Sequence, residues 1–238
     1  MRNGAVWLET ARGIKRIRRA KKSLTKGELL HFYYDEQIQQ TCPPAAALIA
    51  DEGAYSVWHK PYGMYSQGTK WGDHCTIYRW AEQHLQPQRP AFPVHRLDRA
   101  ASGLILLAHK KSIAAAFAAM FQQHTISKQY RVKVAGLLKL ASLPYILDTP
   151  LDNKPAITEI VQIHTDTQSG TSELIINIKT GRKHQIRRHL ASINHPVIGD
   201  RLYGIQTSMT DNQTNLQLKA IYLSFICPLR NQQKIFQL

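Results

Sequence analysis

The stretch Pro93–Lys111, PVHRLDRAASGLILLAHKK, sets one carboxylate, Asp98, between Arg96 and Arg99, just ahead of the apolar run Leu104–Leu107. Leu104 to Ala108 reads as a buried strand. An ion pair at the start of a strand is the plain reading of Asp98. The sharper reading is an aspartate held ionised by positive neighbours, which suits it to act as a nucleophile rather than an acid. The rest of the chain decides between them.

The 238 residues suffice for one substantial domain with a small appendage, or for two modest domains. A hydrophobic content of 43% supports a packed core, and a formal charge of +15 imposes a strong positive surface field. Such a field points to a polyanionic partner, nucleic acid or an anionic membrane. No apolar run of spanning length and no leading signal segment is present, so nucleic acid leads. Cys42, Cys75 and Cys227 are odd in number and widely spaced, which argues for reduced thiols in a cytoplasm and against a disulfide framework or structural zinc. His184 and His189 are five apart and do not share a helix face as a zinc-binding pair would. Phosphate-cradling and dinucleotide glycine loops are missing as well, so neither metal nor nucleotide cofactor is expected.

Arg12–Lys26 holds eight basic residues, among them Arg16, Arg18 and Arg19, and no acidic one. A strand is expected over Leu29–Tyr34 after Gly27. Ile14 and Ile17 argue for a folded unit rather than a solvated arm. Thr41–Gly53, with Pro43 and Pro44, reads as a linker. Beyond it the pattern gives strands at Ala54–His59, Leu104–Ala108, Tyr130–Val134, Ile157–His164, Ser172–Lys179 and Leu216–Ile226, the last closing the chain. Helices are expected over Thr76–Leu85, after a Ser112 cap, and over His184–Ile193. Long strands with few helices predict an α+β chain with a mixed or antiparallel sheet rather than a doubly wound one.

Two further places carry chemistry. Tyr130 shares a strand face with Val132 and Val134, where core packing is the plain reading. In TGRKHQIRRHLASINHPVIGDRLYG, Thr180–Gly204, Gly181 precedes a helix start surrounded by Arg182, Lys183, Arg187 and Arg188. Cations at a helix N-terminus make an anion site. Arg187 sits beside Ile186, on the face shared with Ala191 and Asn194. These residues alone point to an RNA- or DNA-binding enzyme.

VHRLDRAASGLILLA resembles the catalytic motif of the RluA-type pseudouridine synthases, with Ala101 where that family usually has Thr. TGRKHQIRRHLASINHPVIGDRLYG, SKQYRVKVAG and WHKPYGMYSQG are similar to the same family's other motifs, in the same order, across residues 54–238. Residues 1–40 resemble the later half of an αL-type RNA-binding module, without its leading helices. The resemblance implies the pseudouridine synthase fold, a mainly antiparallel mixed sheet with flanking helices and an active-site cleft. It implies isomerisation of uridine in structured RNA, ribosomal slightly ahead of transfer RNA, by a cytoplasmic monomer with no cofactor. Asp98 would be the catalytic carboxylate, attacking the sugar, attacking the base or removing a sugar proton. Arg187 would pair with it and lower its pKa, Tyr130 would stack on the base or assist proton movement, and Ile186 would pack beside the base. Arg96, Arg99, Arg182, Lys183, Arg188 and the Arg16, Arg18, Arg19 group would hold RNA. A non-catalytic RNA-binding protein on the same fold is the competing class; it would have lost Asp98, Tyr130 or Arg187, and all three are present.

Overall fold

A computed structural model describes residues 1–204 and 214–238. Its first unit is a three-stranded antiparallel sheet, order β2-β1-β3, of β1 (Val6–Thr10), β2 (Gly13–Arg16) and β3 (Leu29–Phe32). Val6, Leu8 and Ile17 form its small core, so Ile17 does mark folded structure while Ile14 stays exposed. The strand expected to reach Tyr34 stops at Phe32, and α1 (Glu36–Gln40) follows, capped by Asp35, which accepts from the Ile38 N–H at 3.0 Å.

This unit rests on the loop before α2 (Ile77–His84). Trp7 Nε1 donates to the Lys70 carbonyl at 3.0 Å, and Asp73 takes Arg16 at 2.8 Å, Arg18, and the Tyr78 hydroxyl at 2.6 Å. Arg16 and Arg18, expected on RNA, are thus spent on a carboxylate whose side chain has no exposed surface.

Within 41–53, read as a linker, Ala47–Asp51 forms β4 and pairs antiparallel with β5 (Tyr55–Lys60). The two prolines end helical options, but the chain past them still has backbone groups to pair, and the free edge of β5 supplies partners. The main sheet runs β4-β5-β7-β12-β8-β11-β10-β9. Its members are β7 (Ser102–Ala108), β8 (Ser127–Ala135), β9 (Tyr145–Leu147), β10 (Thr158–Asp166), β11 (Thr171–Ile178) and β12 (Leu218–Ile226). Two short members, β6 (Phe92–Pro93) and β13 (Gln233–Gln237), pair with β7 and β12. Among the named strand pairs only β7 and β12 run parallel, which gives the mixed, mainly antiparallel α+β sheet that the strand-rich pattern predicts.

Period-2 alternation puts Trp58, Ile105, Leu107, Val132 and Val134 on one face, under α2 and α4 (Gln185–Ser192). Tyr55, Val57, Leu104 and Leu106 point to the other face, under α3 (Lys111–Gln122). Leu104–Leu107 therefore reads as an unbroken apolar run because both faces are covered. Lys110, not Ser112, is the N-cap of α3, and it makes no side-chain cap bond.

The β7–β12 pairing is short. It joins Ser102 and Gly103 to Lys219 and Ala220 and then ends. Gly103 has φ +113°, and a Cβ there would overlap the Ala220 backbone, so glycine permits the approach. Beyond it β13 takes the edge of β12 from Tyr222 onward, a strand the sequence reading omitted. The Leu106 N–H instead donates to His95 Nε2 at 2.9 Å. The sheet thus parts beside the loop that carries Asp98.

Candidate active site

Asp98 begins a turn closed by the Ala101 N–H on the Asp98 carbonyl at 3.1 Å. Three anchors from the KPYGMYS segment, Lys60–Ser66, fix this turn. Ser66 Oγ donates to the Leu97 carbonyl at 2.7 Å and accepts from the Leu97 N–H at 3.0 Å. The Gly63 N–H donates to the Arg99 carbonyl at 2.9 Å. The fully buried Lys60 ammonium donates to the carbonyls of Ala101 (2.6 Å), Met64 (2.9 Å) and Pro61 (3.1 Å). The protonated amine has three N–H groups for these three acceptors, so hydrogen bonds hold the loop beside its packing. Burial pushes the Lys60 amine down to about 7, against the field of Asp98. Ala101 is itself buried, and it contributes only its backbone to this anchoring.

A turn sends successive side chains in different directions, and this separates the three charges of RLDR. Asp98 faces a cleft of about 750 Å³, with Arg96 also on its wall. Arg99 turns away, over the Tyr65 ring at 4.7 Å and toward the Gly63 carbonyl at 3.3 Å. Arg99 therefore does not line the cleft, and the cation facing Asp98 comes from elsewhere in the chain. Arg187 Nη1 stands 3.5 Å from Asp98 Oδ2, and His184 Nε2 stands 4.0 Å from Oδ1.

Arg187 is 4% exposed, and its main partner is Asp200. Nε donates to Oδ2 at 2.7 Å and Nη2 to Oδ1 at 2.6 Å. The Leu202 and Tyr203 N–H groups also donate to Asp200 Oδ1, at 2.9 and 3.1 Å, and the Arg187 guanidinium lies 5.2 Å from the Tyr203 ring centroid. Burial disfavours the guanidinium charge, but the hydrogen bonds and field of Asp200, then those of Asp98, more than offset it and raise the pKa of Arg187. The expected Asp98–Arg187 pair is present at 3.5 Å, and what the sequence reading lacked is its second carboxylate: Asp98 receives the third nitrogen of a cation already clamped by Asp200. Asp200 was missed because it lies 13 residues on, past α4. Its sequence signal was the GD following a proline turn in the same motif.

α4 is seated by buried polar groups. Gln185 donates to the Ile157 carbonyl (2.9 Å) and Thr158 hydroxyl (3.0 Å), and accepts from Thr180 Oγ1 (2.7 Å) and the Arg182 N–H (3.0 Å). His189 bridges Thr158 Oγ1 and the Thr149 carbonyl, each at 2.9 Å. His184, in the left-handed region at φ 54°, caps the helix start and meets the Tyr203 hydroxyl at 3.0 Å. Burial lowers its pKa, Asp98 opposes, and Arg187 and Lys183 add to the lowering. A neutral imidazole beside the carboxylate follows.

Tyr130, 6% exposed, lines the same cleft, with Ile186 nearby on its wall. Burial, then the field of Asp98, raises the phenol pKa, so its O–H stays protonated. Asp98 is the only carboxylate among the described lining residues, against six Lys and Arg: Arg96, Lys128, Lys179, Arg182, Lys183 and Arg187. Arg188 lies off this wall and pairs with Asp152 at 3.0 Å. Arg19 is exposed on the N-terminal unit. No cluster of His, Cys, Asp or Glu suited to a metal occurs among the described residues, and no helix there is long and apolar enough to cross a membrane.

Residues 54–192 match the family described as RNA pseudouridylate synthase. The chain is 30% identical over 209 residues to the dual-specificity RNA pseudouridine synthase RluA of Salmonella typhimurium, covering 82% of this chain and 93% of the relative. It is 27% identical over 222 residues to the tRNA pseudouridine synthase C of Vibrio parahaemolyticus, covering 82% and 90%. In fold it is similar to human RNA pseudouridylate synthase domain containing 1, with TM-score 0.67, 19% identity, and coverage of 83% of this chain and 86% of that one.

Proposed function

The chain belongs to the RluA-type RNA pseudouridine synthase family and is an isomerase of that class, and on this premise we propose that Asp98 is its catalytic carboxylate, acting on uridines of structured RNA. The observation that carries the assignment is the placement of Asp98: one carboxylate, 17% exposed, on a cleft wall otherwise supplied with six cations. An anion withdrawn from water among cations is available to react with a sugar or base, while phosphates occupy the positive rim.

The isomerisation is balanced within the nucleotide. The N1–C1′ bond breaks, a C5–C1′ bond forms, C5 gives up a proton and N1 gains one. No electrons are exchanged, so the residues at hand need only hold charge, orient the base and move a proton. Asp98 supplies the charge near the glycosidic bond, Arg187 and Asp200 fix its position, and the Tyr130 ring supports the base with a phenol that remains a donor. The target must leave its stack to reach Asp98, at a cost of a few kcal/mol. Contacts from Arg96, Arg182 and Lys183 to the backbone offset that cost.

Between substrates, we favour ribosomal RNA over transfer RNA. The support is the folded basic unit of residues 1–40, docked on the loop before α2, which extends a positive surface beyond the cleft. Relatives named for transfer RNA make that the alternative outcome of the test. Pseudouridines are mapped in cellular RNA with the wild-type protein, without it, and with Asp98→Asn. The wild type restores a specific site that Asp98→Asn does not, and turnover by the pure variant falls about 10⁴-fold, the scale for neutralising a catalytic carboxylate. A site restored equally by Asp98→Asn removes the catalytic assignment.

A further inference from the structure

The six cations of the cleft are not equivalent. Lys179 pairs with Glu159 at 3.4 Å, Arg182 donates to the Pro155 carbonyl at 2.8 Å, and Arg187 is clamped by Asp200. Arg96 and Lys183 are exposed. Lys128, on β8, is half-buried on the cleft wall and alone among the half-buried cations there has no oxygen partner among the described residues. Its ammonium lies 5.2 Å from the centroid of the Phe121 ring of α3, and Leu223 stands directly opposite on β12. His95 cannot take the charge. Its Nε2 is committed to the Leu106 N–H, and burial depresses its pKa to about 3, with Lys128 adding to the effect.

A half-buried cation without a counterion is disfavoured, because part of its hydration is lost and the Phe121 ring replaces only some of it. Burial alone lowers the Lys128 pKa, to about 8, with no carboxylate opposing. An ammonium in that condition, on the wall of a cleft that receives a polyanion, has its missing partner in the ligand. Phosphate oxygen is the anion RNA carries along its whole length. The position also fits. Lys128 precedes Tyr130 by two residues, about 6–7 Å along the strand. Lys128 stands over Phe121, whose ring packs against His95 at 4.6 Å, so it lies on that side of the cleft and to one side of Tyr130, where the backbone beside an extruded nucleotide must be held.

We propose that Lys128 seats a backbone phosphate of a nucleotide flanking the target uridine, as a positioning residue that steadies the RNA while the base is turned out. This rests on the uridine-isomerase reading above. The test compares wild type with Lys128→Met, which keeps the stem over Phe121 and removes the charge, and with Lys128→Arg. The probe is a transcript of the RNA identified by pseudouridine mapping. Lys128→Met raises KM about tenfold, the worth of one charge-assisted contact, with kcat at saturating RNA unchanged. It flattens the slope of log KM against log salt by about 0.7–0.9, as for one lost phosphate contact. Its Tm rises, because an unpartnered charge is gone, while Lys128→Arg keeps the wild-type KM and slope. Unchanged KM and slope in Lys128→Met overturn the proposal, as does a fall in kcat or Tm with the slope unmoved. Wild-type turnover on the same transcript reports the synthase reading separately, so either can fail without the other.

Discussion

Arg187 turns its bidentate edge to Asp200, at 2.6 and 2.7 Å, and leaves its remaining nitrogen 3.5 Å from Asp98. Planar guanidinium geometry makes this a positioning device: two bonds fix the plane, and the third nitrogen then points at one place. Asp200 is in turn held by the N–H groups of Leu202 and Tyr203. Asp200→Asn keeps the shape but sets an uncharged amide against a buried cation. Breaking a buried pair costs about 3–5 kcal/mol, so Tm falls clearly. Turnover falls as well, because the cation facing Asp98 loses its fixed plane. Arg187→Lys lowers turnover too, since a point charge cannot bridge both carboxylates. Wild-type turnover in Arg187→Lys would show that charge alone, not the fork, serves Asp98.

Tyr130 separates stacking from proton work. Its ring lies in the core cluster and on the cleft wall, with the phenol held protonated by burial and Asp98. Tyr130→Phe keeps the ring and retains most activity if support of the base dominates. Tyr130→Ala removes a base–aromatic contact worth roughly 1–3 kcal/mol and opens a cavity as well. Equal losses in the two variants would assign the role to the hydroxyl.

The strand pattern was legible wherever periodicity was strong. Tyr130 to Val134 and Leu104 to Ala108 fall inside β8 and β7 because burial on a pleated face writes itself into every second residue, or every residue where both faces are covered. β4 was hidden because its side chains are largely exposed and only its backbone is used, so Ala47–Asp51 resembles a loop. Around Asp98, neighbours in sequence were poor guides to neighbours in space. The turn sends Arg99 to Tyr65, and the cation beside Asp98 arrives from α4, 89 positions later, tied to a carboxylate that lies past the end of that helix. Lys60 and Ser66 lie in the WHKPYGMYSQG motif, yet their work, holding the backbone of the Asp98 turn, is visible only once the two segments touch.

Lys60 gives a pH signature. Its folded-state value, about 7, lies below the value near 10.4 of an exposed lysine. Between those values the unfolded chain binds more protons than the folded one, so the contribution of Lys60 to stability rises with pH across that window. Lys60→Met removes the titration. The gap in unfolding free energy between wild type and Lys60→Met therefore widens in favour of wild type above pH 7, by up to about 1.4 kcal/mol per pH unit. Denaturant unfolding from pH 6 to 9.5 measures it. A constant gap would mean that the three carbonyls keep the ammonium charged throughout.

The N-terminal unit is best tested through Asp73. The side chain is sealed by Arg16, Arg18 and Tyr78, so the carboxylate depends on residues 1–40 for its charge balance. Deleting residues 1–40 leaves it uncovered, and the truncated chain loses stability that Asp73→Asn in the same truncated chain partly restores. Of the eight basic residues in Arg12–Lys26, Arg16 and Arg18 are spent on Asp73 and Lys22 on Glu28, leaving Arg12, Lys15, Arg19, Lys21 and Lys26 exposed for phosphate. If about half of these five make contact, deletion flattens the slope of log K against log salt by roughly 2, at 0.7 to 0.9 per contact. Affinity is titrated at several salt concentrations with full-length and truncated protein, and turnover at saturating RNA is followed alongside. Turnover changes less than affinity, since Asp98, Tyr130 and Arg187 all lie beyond the deleted unit. An unchanged slope would assign RNA binding to the cleft domain alone. A truncated chain that Asp73→Asn fails to stabilise would show that the seal over this carboxylate is not what joins the two parts.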